Sequence, residues 1–181
     1  IADMDSAEKE GHHKAACPER GKGLISSNYT IAKWLVKEKD LDKLLAIPSA
    51  KKEIIKETPY KYSIRVAYQT PVAIDYDGTV KEAIASTFED CLVYTNYQLF
   101  KGISTDDTGS LVKSVSDEIN SASSFEVFHK GVYEILRSGK SDQKAEFALD
   151  LIYAIDPDEL IVPDYIDEGL EWLQSYLDPE E

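Results

Sequence analysis

Cysteine and long apolar runs are scarce in this sequence of 181 residues. The two cysteines, Cys17 and Cys91, stand in unrelated contexts and give no disulfide framework, which is typical of a reducing cytoplasm. No apolar run approaches the roughly 18 residues that would span a bilayer. We therefore expect a cytoplasmic protein that has no membrane partner.

Motifs of several common enzyme classes are also missing. The stretch ERGKGLISS lacks the spacing of a P-loop, and neither Gly-x-Ser-x-Gly nor His-Glu-x-x-His occurs. These absences exclude a P-loop nucleotide site, a nucleophile elbow and a zincin-type zinc site from this sequence. His12, His13 and Cys17 stand close together, but three candidate ligands without a fourth favour a structural or solvent-exposed role over zinc binding.

Basic residues become scarce toward the C-terminus. Lys and Arg number 13 against 10 Asp and Glu in residues 1–70, 6 against 11 in residues 71–140, and 1 against 13 in residues 141–181. The net charge of −14 is therefore mostly a property of the last segment. Because phosphate neutralisation needs Lys and Arg, this balance argues against broad, nonspecific nucleic-acid binding by this chain alone.

The apolar pattern and the turn signals predict an α/β fold. Alternating residues around Asp77 and Gly78 indicate a β-hairpin. Short helices are expected within residues 24–58, including the stretch SAKKEIIKE, and a longer helix should begin after an N-cap at Ser86 or Thr87. Later helices are expected at about 107–121, 124–138, 141–154 and 162–177.

An Asp-x-Asp motif stands at the start of the sequence. Asp3 and Asp5 would share one face of a strand, because side chains alternate along a strand. Two carboxylates so placed repel each other, and a hard divalent cation such as Mg²⁺ or Mn²⁺ is the usual relief. The spacing alone also fits a solvated loop with two capping acids.

Six stretches occur in an order that resembles a known family. They are IADMDS, SNYTIAKWL, RVAYQTPV, TFEDCLVYTN, KAEFALDLIY and VPDYIDEGLEWL. Together they resemble the C-terminal catalytic region of the overcoming-lysogenization-defect (OLD) family of ATP-dependent endonucleases, to which the nuclease subunit of the Gabija phage-defence system is related. The resemblance covers nearly the whole sequence.

The resemblance implies a domain organisation. Family members carry an ABC-type ATPase followed by a Toprim nuclease domain, so residues 1–105 are expected to be a partial Toprim core whose first strand and helix are missing. A helical insertion is expected at about residues 24–58, and residues 106–181 should form a helical part that completes the catalytic region. The site residues should then lie at one edge of a small, largely parallel sheet.

The resemblance also implies roles for five residues. Asp3, Asp5, Thr87 and Glu89 match metal ligands, and Lys144 matches a lysine that stabilises the transition state. Other roles stay open, because Thr87 is also a good N-cap, Glu89 could merely interact with a helix dipole, and Lys144 could be a surface lysine.

The implied function is two-metal cleavage of DNA with Mg²⁺ or Mn²⁺, in phage defence or DNA processing. The implied partners are DNA, the ATPase and first half of Toprim in the parent protein, further copies in a homo-oligomer, and a UvrD-like helicase. ATP would act only through a domain absent from this sequence. Family nucleases also use glutamates from an earlier strand and helix, so we expect this sequence to be a fragment with an incomplete metal site.

The acidity of the sequence supports a second hypothesis from a different class. An acidic α/β protein of this size could be an inhibitor or immunity-type protein that covers a basic nucleic-acid-binding surface. Such a protein needs a broad exposed acidic face, whereas a metal site needs a few carboxylates that converge.

Overall fold

A computed structural model describes residues 1–10, 13–34, 37–104, 109–139 and 141–177. The chain divides into two compact units, the first formed by Ile1–Pro71 with Pro163–Glu181 and the second by Val72–Val162. The predicted domain boundary between residues 105 and 106 lies outside the described residues and stays a prediction. None of the helices in the described ranges combines the length and the apolar character needed to cross a membrane.

The first unit contains short strands, short helices and one long helix. Its elements are β1 (Ser6–Ala7), β2 (Ile25–Ser26), a π-helical turn (Thr30–Trp34), α1 (Leu41–Leu45), a 3-10 turn (Ser49–Lys51), β3 (Glu53–Lys56), β4 (Tyr62–Arg65) and α7 (Asp164–Leu177). Strands β1 and β2 pair antiparallel, as do β3 and β4. The core of this unit consists of Met4, Leu24, Ile31, Leu41, Leu44, Val66 and Tyr68.

The expected helical insertion at residues 24–58 is helical only in its middle. Helix α1 forms as expected, with the Asp40 side chain accepting a hydrogen bond from the Lys43 amide at 3.1 Å. The prediction of a helix across SAKKEIIKE was wrong beyond its first turn, because Glu53–Lys56 is strand β3. Ile54 lies opposite Ile64 in β4, a cross-strand pair of β-branched residues that favours the sheet over the helix.

The described part of the second unit contains a hairpin and five helices. Its elements are β5 (Val72–Tyr76), β6 (Thr79–Ala83), α2 (Phe88–Thr95), α3 (Tyr97–Gly102), α4 (Ser110–Ser121), α5 (Phe125–Ser138), α6 (Ser141–Ala154) and a 3-10 turn (Pro157–Glu159). Helix α4 packs against α3, α5 and α6. The buried ring of Phe128 lies 5.2 to 5.8 Å, between ring centroids, from Tyr76, Tyr94, Tyr97 and Phe125.

The mixed α/β class and the long helices were predicted correctly, whereas the sheet was not. The observed ranges of α4 to α7 agree with the expected ones to within three residues over the described part of the chain. The expectation of a largely parallel sheet was wrong for the described strands, which form three two-stranded antiparallel sheets. The connections explain part of this, because β5 and β6 are joined by two residues and a parallel pair needs a crossover of a dozen or more. Toprim identity stays a prediction.

The turn of the β5–β6 hairpin gives a test of the local backbone. Asp77 and Gly78 both have positive φ, 50° and 76°, as a type I′ turn requires. We expect Gly78→Ala to lower the free energy of unfolding by about 1 kcal/mol, because a Cβ is unfavourable in this conformation. Urea unfolding followed by circular dichroism measures the change.

Gly102→Ala is the matched control for this variant. Gly102 ends α3 without a positive φ, and an added Cβ would meet nothing within 4 Å. Its free energy of unfolding should stay unchanged or rise. Equal destabilisation by the two substitutions would contradict the assignment of the turn.

Candidate functional site

The N-terminal segment that carries Asp3 is held by a buried glutamine. The Ala2 amide donates to the Ala67 carbonyl at 2.9 Å, and the Met4 amide donates to the Gln69 side-chain oxygen at 2.7 Å. The Gln69 amide nitrogen in turn donates to a carboxylate oxygen of Asp3 at 2.6 Å. The Asp3 carboxylate therefore has a fixed position in the first unit.

Gln69 was not identified from the sequence as a site residue. Its side chain is fully buried, and its amide nitrogen also lies 3.3 Å from the Tyr165 hydroxyl oxygen. A buried amide needs such partners, because an unsatisfied one costs about 1–3 kcal/mol. The signal available in the sequence was an uncharged amide residue directly after the apolar run VAY in one of the six quoted stretches.

Asp5 is held by a different contact. Its carboxylate accepts a hydrogen bond from the Asn28 side-chain amide at 3.3 Å, while the Asn28 side-chain oxygen accepts one from the Thr30 amide at 2.9 Å. Asp5 has a φ of 48°, so regular strand alternation does not continue through it, and Asp3 and Asp5 precede β1 rather than end a strand. The expected shared strand face was therefore wrong, because the backbone turns at Asp5.

Two neighbouring acids, Glu89 and Asp90, lie in the first turn of α2. Thr87 is the N-cap and forms a capping box with Asp90, whose carboxylate accepts from the Ser86 amide at 2.9 Å and the Thr87 amide at 2.8 Å. The alternative role of Thr87 as an N-cap is therefore confirmed. Glu89 also interacts with the helix start, since its carboxylate accepts hydrogen bonds from its own backbone amide and from the Thr87 side chain.

Glu89 forms an ion pair with Lys144. The Lys144 ammonium nitrogen lies 2.9 Å from the Glu89 carboxylate, and the two side chains are 34% and 18% exposed, respectively. Burial raises the pKa of Glu89, but hydrogen bonds from Lys144, its own backbone amide and Thr87 lower it, and its net pKa is below the usual value. Lys144 therefore has a specific acidic partner and is not an isolated surface lysine.

The structure brings together three of the five predicted site residues, because the Glu89 carboxylate interacts with both the Lys144 ammonium and the Thr87 side chain. Glu89 and Lys144 lie in contact in the second unit, where Thr87 also lies, whereas Asp3 and Asp5 belong to the first unit. Within the described residues, no group of three or more His, Cys, Asp and Glu side chains is arranged to hold a metal ion. His13 is exposed, and His12 lies outside the described residues. A site that combines all five residues stays a prediction.

Comparison with known proteins gives one distant relationship to a nuclease. No protein-family model matches the chain, and no solved structure matches it. The chain is 28% identical over 116 residues to a protein named Endonuclease GajA from Bacillus cereus (strain HuB5-5), across 60% of this chain and 16% of that protein. The chain thus spans about a sixth of the length of the curated relative that it matches. This similarity supports a link to a nuclease family, while Toprim membership stays a prediction.

The ion pair gives a prediction about the titration of Glu89. In Lys144→Ala the hydrogen bond and the positive charge that lower the pKa are lost while the glutamate stays partly buried, so we expect the pKa of Glu89 to rise. The pKa of Glu89 is lower in the folded protein than its unfolded-state value of 4.5. The ion pair therefore stabilises the fold at pH values above 4.5, and this stability should be lost as the pH falls through the lower, folded-state pKa. Carbon NMR of the glutamate carboxyl carbons measures this titration.

Lys130→Ala is the control for this titration. Lys130 forms an exposed ion pair with Glu134 on α5, with 3.7 Å between charged atoms. The pKa of Glu89 should not change in this variant. A Glu89 titration that is the same in wild type and Lys144→Ala would show that the pair does not form in solution.

Proposed function

We propose that this chain is part of the catalytic region of a metal-dependent DNA endonuclease. The observation that carries the proposal is the contact between Glu89 of α2 and Lys144 of α6, two residues selected for nuclease roles from the sequence. The similarity to Endonuclease GajA supports the same class of activity. DNA is the proposed substrate.

The metal part of the proposal rests on the oxygen donors of the predicted ligands. Glu89 is a largely buried carboxylate with a lowered pKa, and it already accepts a cationic group, the Lys144 ammonium. Oxygen ligands of this kind are those that Mg²⁺ and Mn²⁺ prefer. We propose that Asp3, Asp5, Thr87 and Glu89 supply ligands to such ions, which when bound would activate a water molecule and neutralise charge on the scissile phosphate.

The protein fixes these carboxylates through neighbouring polar groups. Gln69 holds Asp3, and Asn28 holds Asp5. Such partners orient metal ligands and restrict their motion. The Thr87 hydroxyl lies 3.2 Å from an Asp90 carboxylate oxygen. As a metal ligand, Thr87 would have to bind the ion through its hydroxyl oxygen while the hydroxyl keeps this contact with Asp90.

Lys144 would act on the phosphate rather than on the metal. Its ammonium is a compact positive charge, which stabilises negative charge that develops on phosphate oxygens. It is the only Lys or Arg among residues 141–181, so no neighbouring basic residue in that segment could replace it. Its pairing with Glu89 would position the charge beside a metal ligand.

An inhibitor or immunity-type role is the alternative proposal, because most acids of the described C-terminal segment are exposed. Two acids of the C-terminal segment have internal partners: Glu168 pairs with Arg65, and Asp150 accepts a hydrogen bond from the Gly109 amide at 2.8 Å. They contribute to folding as well as to surface charge. ATP acting through another domain, a homo-oligomer and a helicase partner remain predictions from the resemblance.

Lys144→Ala tests the catalytic role. We expect single-turnover cleavage of supercoiled plasmid DNA at saturating Mg²⁺ or Mn²⁺ to slow by about 10²-fold to 10³-fold, because one electrostatic contact to the transition state is lost. Lys144→Arg should restore only part of the rate, since the planar guanidinium does not reproduce the compact charge. The measurement uses the complete encoded protein.

Lys130→Ala provides the control for this experiment, because it removes a lysine from another ion pair of the second unit. It should cleave at the wild-type rate. A wild-type rate in Lys144→Ala would end the catalytic assignment. Absence of metal-dependent cleavage by the wild-type protein would overturn the proposed activity.

Binding of Mn²⁺ tests whether the two groups of acids share a site. We expect Asp3→Asn and Glu89→Gln each to weaken binding by about tenfold or more in calorimetric titrations. If both residues bind the same metal centre, the loss of binding free energy in the double variant should differ from the sum of the losses in the two single variants. Glu134→Gln, in an exposed ion pair, should leave binding unchanged.

Additive effects in the double variant would contradict the shared site. Unchanged Mn²⁺ binding in Asp3→Asn would remove the N-terminal segment from the proposal and leave Glu89 as the candidate ligand.

A further inference from the structure

The hairpin formed by β3 and β4 ends in an exposed tip. Residues 55–62 are all exposed. They include Lys56 and Tyr62, which lie opposite each other in the strand register, and Tyr60 and Lys61 in the connection between the strands. Tyr60 is 79% exposed and Tyr62 is 47% exposed. Residues 55–62 are called the hairpin tip.

The other end of this hairpin is fixed to α7 within the first unit. Arg65 of β4 pairs with Glu168, and the Glu53 carboxylate of β3 accepts a hydrogen bond from the Tyr176 hydroxyl at 2.7 Å. Glu53 and Arg65 are themselves partners in the strand register. The helix therefore holds the hairpin at this end, while the hairpin tip faces solvent.

Positive charge is concentrated in the hairpin. Residues 51–65 carry five Lys and Arg against two Asp and Glu, whereas the other residues of 1–70 carry eight of each. The charged residues of the hairpin tip are Lys56, Glu57 and Lys61. Because the whole chain has a net charge of −14, attraction to a polyanion has to come from such a local excess of cations.

The donors of the hairpin tip are available to an external acceptor. Its two ammonium groups and its two tyrosine hydroxyls have no acceptor within the part of the chain that the structure describes. Other exposed lysines of the first unit are paired, Lys22 with Glu19 and Lys43 with Glu38. Phosphate oxygens of DNA accept hydrogen bonds from both lysine and tyrosine side chains.

We propose that the hairpin tip binds the phosphate backbone of duplex DNA through Lys56, Lys61 and the hydroxyls of Tyr60 and Tyr62. A two-stranded ribbon fits the major groove, which is about 12 Å wide, because neighbouring strands lie only about 4.8 Å apart. The two lysines lie on opposite arms of the hairpin, so they would reach phosphates on opposite walls of the groove. This inference rests on the proposed function for its choice of DNA.

Binding of a labelled DNA duplex by the complete encoded protein tests the proposal. Fluorescence anisotropy is measured in EDTA, where metal-dependent cleavage does not contribute. The double variant Lys56→Gln/Lys61→Gln should weaken binding about tenfold at low salt and lower the slope of log affinity against log salt by about 2, because two phosphate contacts are lost. Tyr60→Phe should weaken binding about 2-fold to 10-fold, since one hydrogen bond is lost. Glu57→Gln should strengthen binding, because it removes a negative charge from the hairpin tip.

Lys22→Gln/Lys43→Gln is the matched control. It removes the same amount of charge from two exposed lysines of the first unit that have acidic partners, and it should bind DNA like the wild type. Equal losses in the two double variants would overturn the proposal, since binding would then follow net charge. Wild-type affinity in Lys56→Gln/Lys61→Gln would also overturn it. Tighter binding of a single strand than of the duplex would overturn the duplex assignment in favour of unpaired bases on the tyrosine rings.

The result is separable from that of the proposed nuclease activity. Weaker binding in the hairpin variant, together with no metal-dependent cleavage by the wild type, would support the DNA contact and reject the nuclease. Wild-type affinity of this variant for DNA, in a protein that cleaves, would reject the contact alone. Because every replaced side chain is exposed, circular dichroism should show unfolding of all variants at the wild-type temperature.

Discussion

The completely buried amide of Gln69 is the constraint around which the first unit is arranged. A buried amide must find hydrogen-bond partners or weaken the fold, and Gln69 interacts with the Met4 amide, the Asp3 carboxylate and the Tyr165 hydroxyl. These partners lie 65, 66 and 96 residues away in sequence. One side chain thereby links the N-terminal segment and α7 to the segment after β4, and it gives Asp3 a defined orientation.

Two neighbouring acids at the start of α2 have different main partners. Asp90 accepts hydrogen bonds from the Ser86 and Thr87 amides just before α2, and Glu89 pairs with Lys144 from α6. Charged groups that are partly removed from water need a partner of opposite sign. The pair therefore stabilises both charges and holds a lysine and a carboxylate together, which is the combination that phosphate chemistry at a metal site would use.

The acids of the C-terminal segment are used in two different ways. Glu168 of α7 pairs with Arg65, and Asp150 of α6 accepts a hydrogen bond from the Gly109 amide. Asp167 and Glu171, on the same helix as Glu168, remain exposed. The negative charge of this segment is therefore partly used within the fold and partly presented to solvent.

The sequence by itself determined features that depend on a few adjacent residues. The Asp77–Gly78 turn, the start of α2 at its Thr87 cap and the ranges of the later helices follow from local backbone preferences and capping, and the structure agrees with them. Only the tertiary structure decided that Glu53–Lys56 is a strand, that β1 pairs with β2 and β3 with β4, and that Gln69 and Asn28 hold the two N-terminal aspartates. It also decided which acid at the start of α2 caps the helix and which meets Lys144. The physical reason is distance along the chain: the buried Gln69 amide and the Glu89–Lys144 ion pair need partners from distant elements, and local propensity contains no information about which partner arrives.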